Sequence, residues 1–213
     1  MAQEKVVITL SRQAGAGGAC IGRQVARRLG LRYLDREILS QAARCLSQDE
    51  EILQSREQRV CGIWENLLQV FSLGTPEAAY PLPEALRMVT DRELFEVESE
   101  LIRNVAAEGD AVVVGRAGFR VLKDHPRAVH IFLHADVRRR AETARRLYRM
   151  QRIEEGVALI EELDSQRDKY IRTMTGATWQ EADNFHLCID TGRIPTAVTV
   201  DHIVNLTQSL ARR

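Results

Sequence analysis

No apolar run in this 213-residue sequence approaches membrane-spanning length, and the N-terminus enters a strand pattern without the apolar core of a signal peptide. The cytoplasm is the expected location. A dominant charge is also missing: 30 basic residues stand against 30 acidic ones, for a formal net charge of zero. That excludes a nucleic-acid or membrane surface driven by net charge, and leaves room for a small anion held by a local cluster of arginines. The four cysteines, Cys20, Cys45, Cys61 and Cys188, contain no C-x-x-C pair, which argues against a zinc knuckle or a disulfide framework. His130 and His134 are four apart, but they sit in a strand-like run on one face of a pleat, with no third ligand; no metal site is expected there. With 45% apolar and 28% charged residues, the chain reads as one globular domain, 1–213, that carries a helical insertion.

The most informative stretch runs from Val6 to Arg23: an apolar strand, a glycine-dense turn, then an amphipathic helix. Such a turn cradles phosphate, because glycines let the backbone wrap an anion while the following helix directs its free N–H groups and positive dipole end at the same point. Ala14, Gly15, Ala16, Gly17, Gly18, Ala19 and Cys20 are the expected cradle. The usual phosphate loop adds a lysine for the β- and γ-phosphates and a hydroxyl for Mg²⁺. Here Gly18 takes the lysine position, Cys20 is assigned the hydroxyl position, and Arg12 replaces the first glycine.

Strand signals near 6–10, 32–34, 111–114, 128–133 and 187–190 alternate with helical patterns near 18–29, 36–47, 49–72, 84–107, 136–155, 157–174 and 195–211. The alternation predicts an α/β fold with a parallel sheet covered by helices. The helical stretch 45–107 is the expected insertion, and the arginine-rich stretch 136–174 the expected lid. The segment from Thr75-Pro76 to Pro81-Leu82-Pro83 is the clearest loop.

Ligands of open parallel sheets sit beyond the carboxyl ends of the strands, so residues there carry most weight. Asp35 ends the second strand, either as a helix N-cap or as a substrate contact. Arg116 ends the third strand, where a planar five-donor fork suits a phosphate. After the fourth strand, Arg138, Arg145, Arg149 and Arg152 share one helical face by the 3.6 period, and a lid closing over phosphates needs such a face. Arg12, or an arginine delivered by that lid, is expected to offset charge on the transferred phosphoryl group. Further on, Arg167 and Asp164 lie three apart on a helix; Asp164 either orients substrate or simply pairs with Arg167.

Ile8 to Gln13 with Gly15-Ala16-Gly17-Gly18, then Tyr33 to Glu37, Val114-Gly115-Arg116, Asp164 to Tyr170, Trp179 and His186 to Thr191 resemble, in order, the motifs of the cytidylate kinase-like family. The resemblance implies a P-loop kinase fold with a five-stranded parallel core, ATP as donor, Mg²⁺, and CMP or dCMP as acceptor. It also implies that Asp164 and Arg167, matching the D-S-x-R of authentic cytidylate kinases, serve the acceptor nucleotide, and that the stretch 45–107 is the acceptor-binding region; Arg116 is expected to grip the acceptor phosphate with Arg167. Ala117 and Arg36 stand where authentic cytidylate kinases carry an aspartate and a small hydroxyl residue. An ATP-dependent phosphotransferase is the first functional expectation. A nucleotide-binding regulatory protein without turnover, or a kinase of another small metabolite, are the alternatives.

Overall fold

Alternating strand periodicity sets the two faces of one parallel sheet in the computed structural model, which describes residues 6–35, 39 and 91–211. The strands are β1 (Val7–Arg12), β2 (Arg32–Leu34), β3 (Ala111–Val114), β4 (Ala128–His134) and β5 (Leu187–Asp190). They lie in the order β2-β3-β1-β4-β5, all parallel. In the register, Val7 stands opposite both Ala111 and Ala128. β1 is therefore central, and its carboxyl end opens between the ends of β3 and β4.

Helices α1 (Gly18–Leu29), α2 (Asp91–Glu108), α3 (Gly118–Val121), α4 (Val137–Leu147), α5 (Ile153–Thr175) and α6 (Thr196–Ala211) connect or follow the strands. Ile8, Leu10, Val112, Val114, Val129 and Ile131 project to one face and bury Ile21 and Val25 of α1 with Val200 and Ile203 of α6. Thr9, Phe132 and Val113 alternate to the other face. There the Phe132 ring meets Trp179 edge-on at 6.0 Å and Phe185 at 5.0 Å. Gly30 closes α1 in the left-handed conformation, φ 68°, as a C-terminal glycine does.

Residues 1–35 with 102–213 form one compact unit and residues 36–101 a second. Apart from Leu39, the expected helices 36–47 and 49–72, the loop 75–83 and the start of the expected helix 84–107 lie outside the described residues. Within the second unit, the first turns of α2 carry an i,i+4 pair of Arg92 and Glu96 at 3.8 Å. Among the described residues, no helix is long and apolar enough to cross a membrane.

One helix boundary departs from expectation. The helices predicted over 136–155 and 157–174 are observed as Val137–Leu147 and Ile153–Thr175. The chain leaves the first helix through Arg149, which is left-handed at φ 55°. Met150 N–H donates to Arg145 O at 2.9 Å and Arg149 N–H to Arg146 O at 3.4 Å. This is the Schellman closure, made with arginine where glycine is usual. Arg149 and Arg152 consequently do not continue the face of Arg138 and Arg145: Arg149 sits in the turn and Arg152 is the N-cap of α5.

Candidate functional site

The loop between β1 and α1 turns on two glycines in the left-handed region, Gly15 at φ 79° and Gly17 at φ 78°. Neither position tolerates a side chain without strain, and a β-carbon on Gly15 would also run into the backbone carbonyl of Arg140. Part of the loop is tied to the body. Gln13 N–H donates to Leu133 O at 3.0 Å, Ala16 N–H to Gln13 O at 3.2 Å, and Thr191 Oγ1 to Ala16 O at 3.0 Å. Ala14 N–H donates to Asp164 Oδ1 at 2.7 Å, while Ala14 O accepts from Arg140 Nη1 at 3.2 Å.

Among the described residues, none accepts from the amides of Gly15, Gly17, Gly18, Ala19 or Cys20. These are the amides that a helix start and a glycine turn present to an anion. Ala14, read as part of the cradle, instead has both backbone groups engaged within the protein. The loop hydroxyl position, directly after Gly18, falls on Ala19 and not on Cys20. Cys20 is exposed in the first turn of α1, where Gln24 Nε2 donates to its Sγ at 3.1 Å.

Asp164 sits in α5 with only 12% of its side chain exposed. Its Oδ2 accepts from Arg140 Nη1 at 2.6 Å, and its Oδ1 from Arg167 Nη1 at 3.0 Å and from Ala14 N–H. Arg140, 8% exposed at the side chain, also donates from Nε to Ala135 O at 3.0 Å. One carboxylate therefore joins the phosphate loop, α4 and α5. Around it Ala14 packs with Ala141, Ala144 and Ile160. At Gly156 the two helices approach so closely that a β-carbon would lie 2.5 Å from Ala141 O. Arg140 was not distinguished in the sequence from the arginines on either side; its signal is its place next to the small residues Ala141 and Ala144, which mark the buried face.

Arg12, Arg116 and Arg167 border a narrow cleft beyond β1 and β3, together with Gly115, Tyr170 and Trp179. The Arg116 guanidinium lies 5.4 Å from the centroid of the Tyr170 ring. Gly115, Arg116 and Ala117 are all left-handed, at φ 85°, 49° and 50°. Two consecutive non-glycine residues in that region store backbone strain of the kind found at ligand sites. Arg12 crosses from β1 over the start of α1 and ends against Gly115. These three arginines, separated by up to 155 positions in the chain, meet because the parallel topology ends β1 and β3 side by side.

The remaining predicted residues are placed differently. Arg138 is exposed on α4. Arg145 is held by Glu142, Nη2 to Oε1 at 2.9 Å, and Arg146 shares the same carboxylate at 3.2 Å. Hydrogen bonds from Arg145, then Arg146, bring the half-buried Glu142 carboxyl down to about 2. Asp35 stands 3.8 Å from Arg23, and its expected N-cap role concerns residues outside the described ones. Beside it, burial first and the Asp35 charge second push the Tyr33 hydroxyl up to about 12. His130 is buried in β4, with Nδ1 2.7 Å from Thr9 Oγ1 and its ring stacked on His186 at 5.1 Å. Burial, and then the neighbouring His186 and His125, lower it to about 4.

A profile of the cytidylate kinase-like family matches residues 7–193. The crystal structure of an uncharacterized protein from Eubacterium ventriosum superimposes with a TM-score of 0.71 at 15% identity, covering 96% of this chain and 99% of that one. A gluconokinase from Sinorhizobium meliloti gives 0.53 at 15% identity, over 98% and 94%. A shikimate kinase from Acinetobacter baumannii, solved with shikimate, gives 0.51 at 16% identity, over 97% and 95%. These likenesses establish the P-loop kinase fold. Among curated proteins, none matches the sequence.

Proposed function

The chain belongs to the cytidylate kinase-like family, and from that premise we propose that it is an ATP-dependent phosphotransferase that moves the γ-phosphoryl group to a nucleoside monophosphate, CMP or dCMP. The observation that carries the reading is the meeting of Arg12, Arg116 and Arg167 at one cleft, beside a loop whose amides from Gly15 to Cys20, Ala16 excepted, point at no acceptor among the described residues. Phosphoryl transfer asks a protein mainly for positioning and for neutralisation of charge spread over oxygens. In this reading the amides hold the ATP phosphates, and the guanidinium forks grip the transferred group and the acceptor phosphate.

The loop does not fit a magnesium ion held by the protein. Ala19 brings no hydroxyl, and no group of three histidine, cysteine or carboxylate side chains arranged for a metal occurs among the described residues. Charge neutralisation by this chain's own residues is therefore assigned to the arginines.

The same replacement of the loop lysine and hydroxyl by Gly18 and Ala19 favours a second reading, a nucleotide-binding protein without turnover. ADP release with MgATP, measured across the nucleoside monophosphates and across shikimate, gluconate and related hydroxylated metabolites, tests both. Turnover with CMP or dCMP supports the first reading, and turnover with a sugar acid moves the acceptor class. An ATP-induced rise in melting temperature without turnover selects the second. Neither turnover nor a shift at millimolar ATP overturns both.

A further inference from the structure

Gly18 is a glycine for want of a side chain and not for its backbone. It lies in the first turn of α1, outside the left-handed region that Gly15 and Gly17 occupy. Alanine is the better helix former at such a position. Yet a β-carbon there would lie 2.5 Å from Arg12 Cγ, 3.0 Å from Cδ and 3.1 Å from Cβ. Those atoms are the stem of Arg12, which cannot swing aside as a side-chain tip can. Gly115 does the same for the far end: a β-carbon there would collide with Arg12 Nη1, and its φ of 85° disfavours any side chain in addition. Two glycines from different elements thus leave one groove, and Arg12 fills it from stem to guanidinium.

Position 18 is where a phosphate loop ordinarily carries its lysine. The groove that a lysine at 18 would need at its base is occupied by the Arg12 stem, so the two arrangements exclude each other. We infer that Arg12 supplies, from the β1 end of the loop, the cation that lysine supplies from the helix end, and that Gly18 and Gly115 are the notches that admit it. This rests on the phosphotransferase reading above and names the residue that binds the β- and γ-phosphates of ATP in it. The class of ligand follows from the chemistry: amides of Gly17, Gly18 and Ala19 with no acceptor among the described residues, and a guanidinium resting against Gly115 at the end of β3, together suit a polyphosphate.

The test is a transplant. Affinity for MgATP is measured by titration calorimetry, and phosphoryl transfer to CMP by ADP release, for wild type, Arg12→Ala, Gly18→Lys and the double variant. Arg12→Ala is expected to weaken MgATP binding by about tenfold or more, the usual effect of losing a charge-assisted contact to phosphate. Gly18→Lys alone is expected to weaken it too, because two side chains contend for one groove. The double variant, with lysine in the ordinary position and the groove cleared, is expected to return to within about threefold of wild type. Unchanged affinity in Arg12→Ala, or a double variant no better than Arg12→Ala, overturns the inference. If Gly18→Lys does not fold, Gly18→Ala replaces it: it weakens binding beside Arg12 and is silent on the Arg12→Ala background, and equal losses on both backgrounds overturn the inference. A wild type that does not bind MgATP overturns the phosphotransferase reading and this inference together, whereas wild-type binding with an indifferent Arg12 overturns the inference alone.

Discussion

Two sets of arginines in this protein invite comparison, and the denser set in the sequence is the less organised in the structure. Between Arg138 and Arg152 the chain carries arginine at nearly every second position, and all of these except the buried Arg140 are fully or partly exposed. Arg145 and Arg146 share Glu142, and Arg152 pairs with Glu155 at 3.1 Å, all within one helix or its cap. Exposed pairs of this kind contribute little to stability. Arg12, Arg116 and Arg167 come from three different elements and meet at one cleft, with Arg140 buried behind them. Proximity along the chain is a poor guide to a charged site; position at a strand end, or on the buried phase of a helix, is the better one.

The buried set offers the largest effect. Asp164→Ala leaves the Arg140 guanidinium buried without its carboxylate and removes the acceptor of Ala14 N–H. Removing one partner of a buried pair costs about 3–5 kcal/mol. Urea unfolding is expected to show a loss of that order, and a loss under about 1 kcal/mol would demote Asp164 to an ordinary surface acid. Arg167→Ala separates site from scaffold, because Asp164 keeps both Arg140 and Ala14 in that variant. The expected result is a fall in kcat/KM of at least about tenfold, with KM for the acceptor raised and kcat lowered together, and an unfolding free energy changed by less than about 1 kcal/mol. Normal kinetics in a destabilised protein would make Arg167 a structural partner of Asp164 and nothing more.

How far the sequence displayed these two sets depends on the kind of signal each leaves. All five strands were legible, most clearly where a buried parallel sheet needs apolar runs such as Val112-Val113-Val114 and Ile131-Phe132-Leu133. The phosphate loop was legible from its glycines. The end of α4 was not: Leu147-Tyr148-Arg149-Met150 has neither glycine nor proline, and the left-handed residue is an arginine, so nothing punctuates the chain there. Arg140 was hidden among identical neighbours. The route of Arg12 was hidden as well, since the sequence shows that Gly18 lacks a side chain but not which side chain takes the space. What escaped reading is what depends on contacts between distant segments.

Buried and exposed groups should also separate by pH. His130 is lowered to about 4 from an ordinary value near 6.5, so the unfolded chain takes up its proton first as pH falls. Its contribution to stability is intact above pH 6.5, declines from there to about pH 4, and is level below. Between pH 7 and 5 the decline is expected to reach at most about 2 kcal/mol, and to vanish from the difference between pH values in a His130→Gln variant. Equal declines in both proteins would place the pH dependence elsewhere. Glu142, brought to about 2 by partly exposed arginines on its own helix, is expected to add no separate step of that size.

The smallest expected effect bears most directly on the exposed set. Arg149 closes α4 in the left-handed conformation, which costs a residue with a β-carbon about 1–2 kcal/mol and costs glycine little. Arg149→Gly keeps both closing hydrogen bonds, which are made by backbone atoms, from Arg149 N–H to Arg146 O and from Met150 N–H to Arg145 O. Glycine gains freedom in the unfolded chain, which offsets part of the relief. The net expectation is a stabilisation of about 0.5–1 kcal/mol, read as a higher unfolding midpoint. If Arg149 belongs only to the exposed set, kcat/KM stays within about twofold of wild type, because no contact with the cleft is removed. A stabilised protein that has lost tenfold or more in kcat/KM would show that this arginine reaches the phosphates during turnover, and would move it from the exposed set into the site.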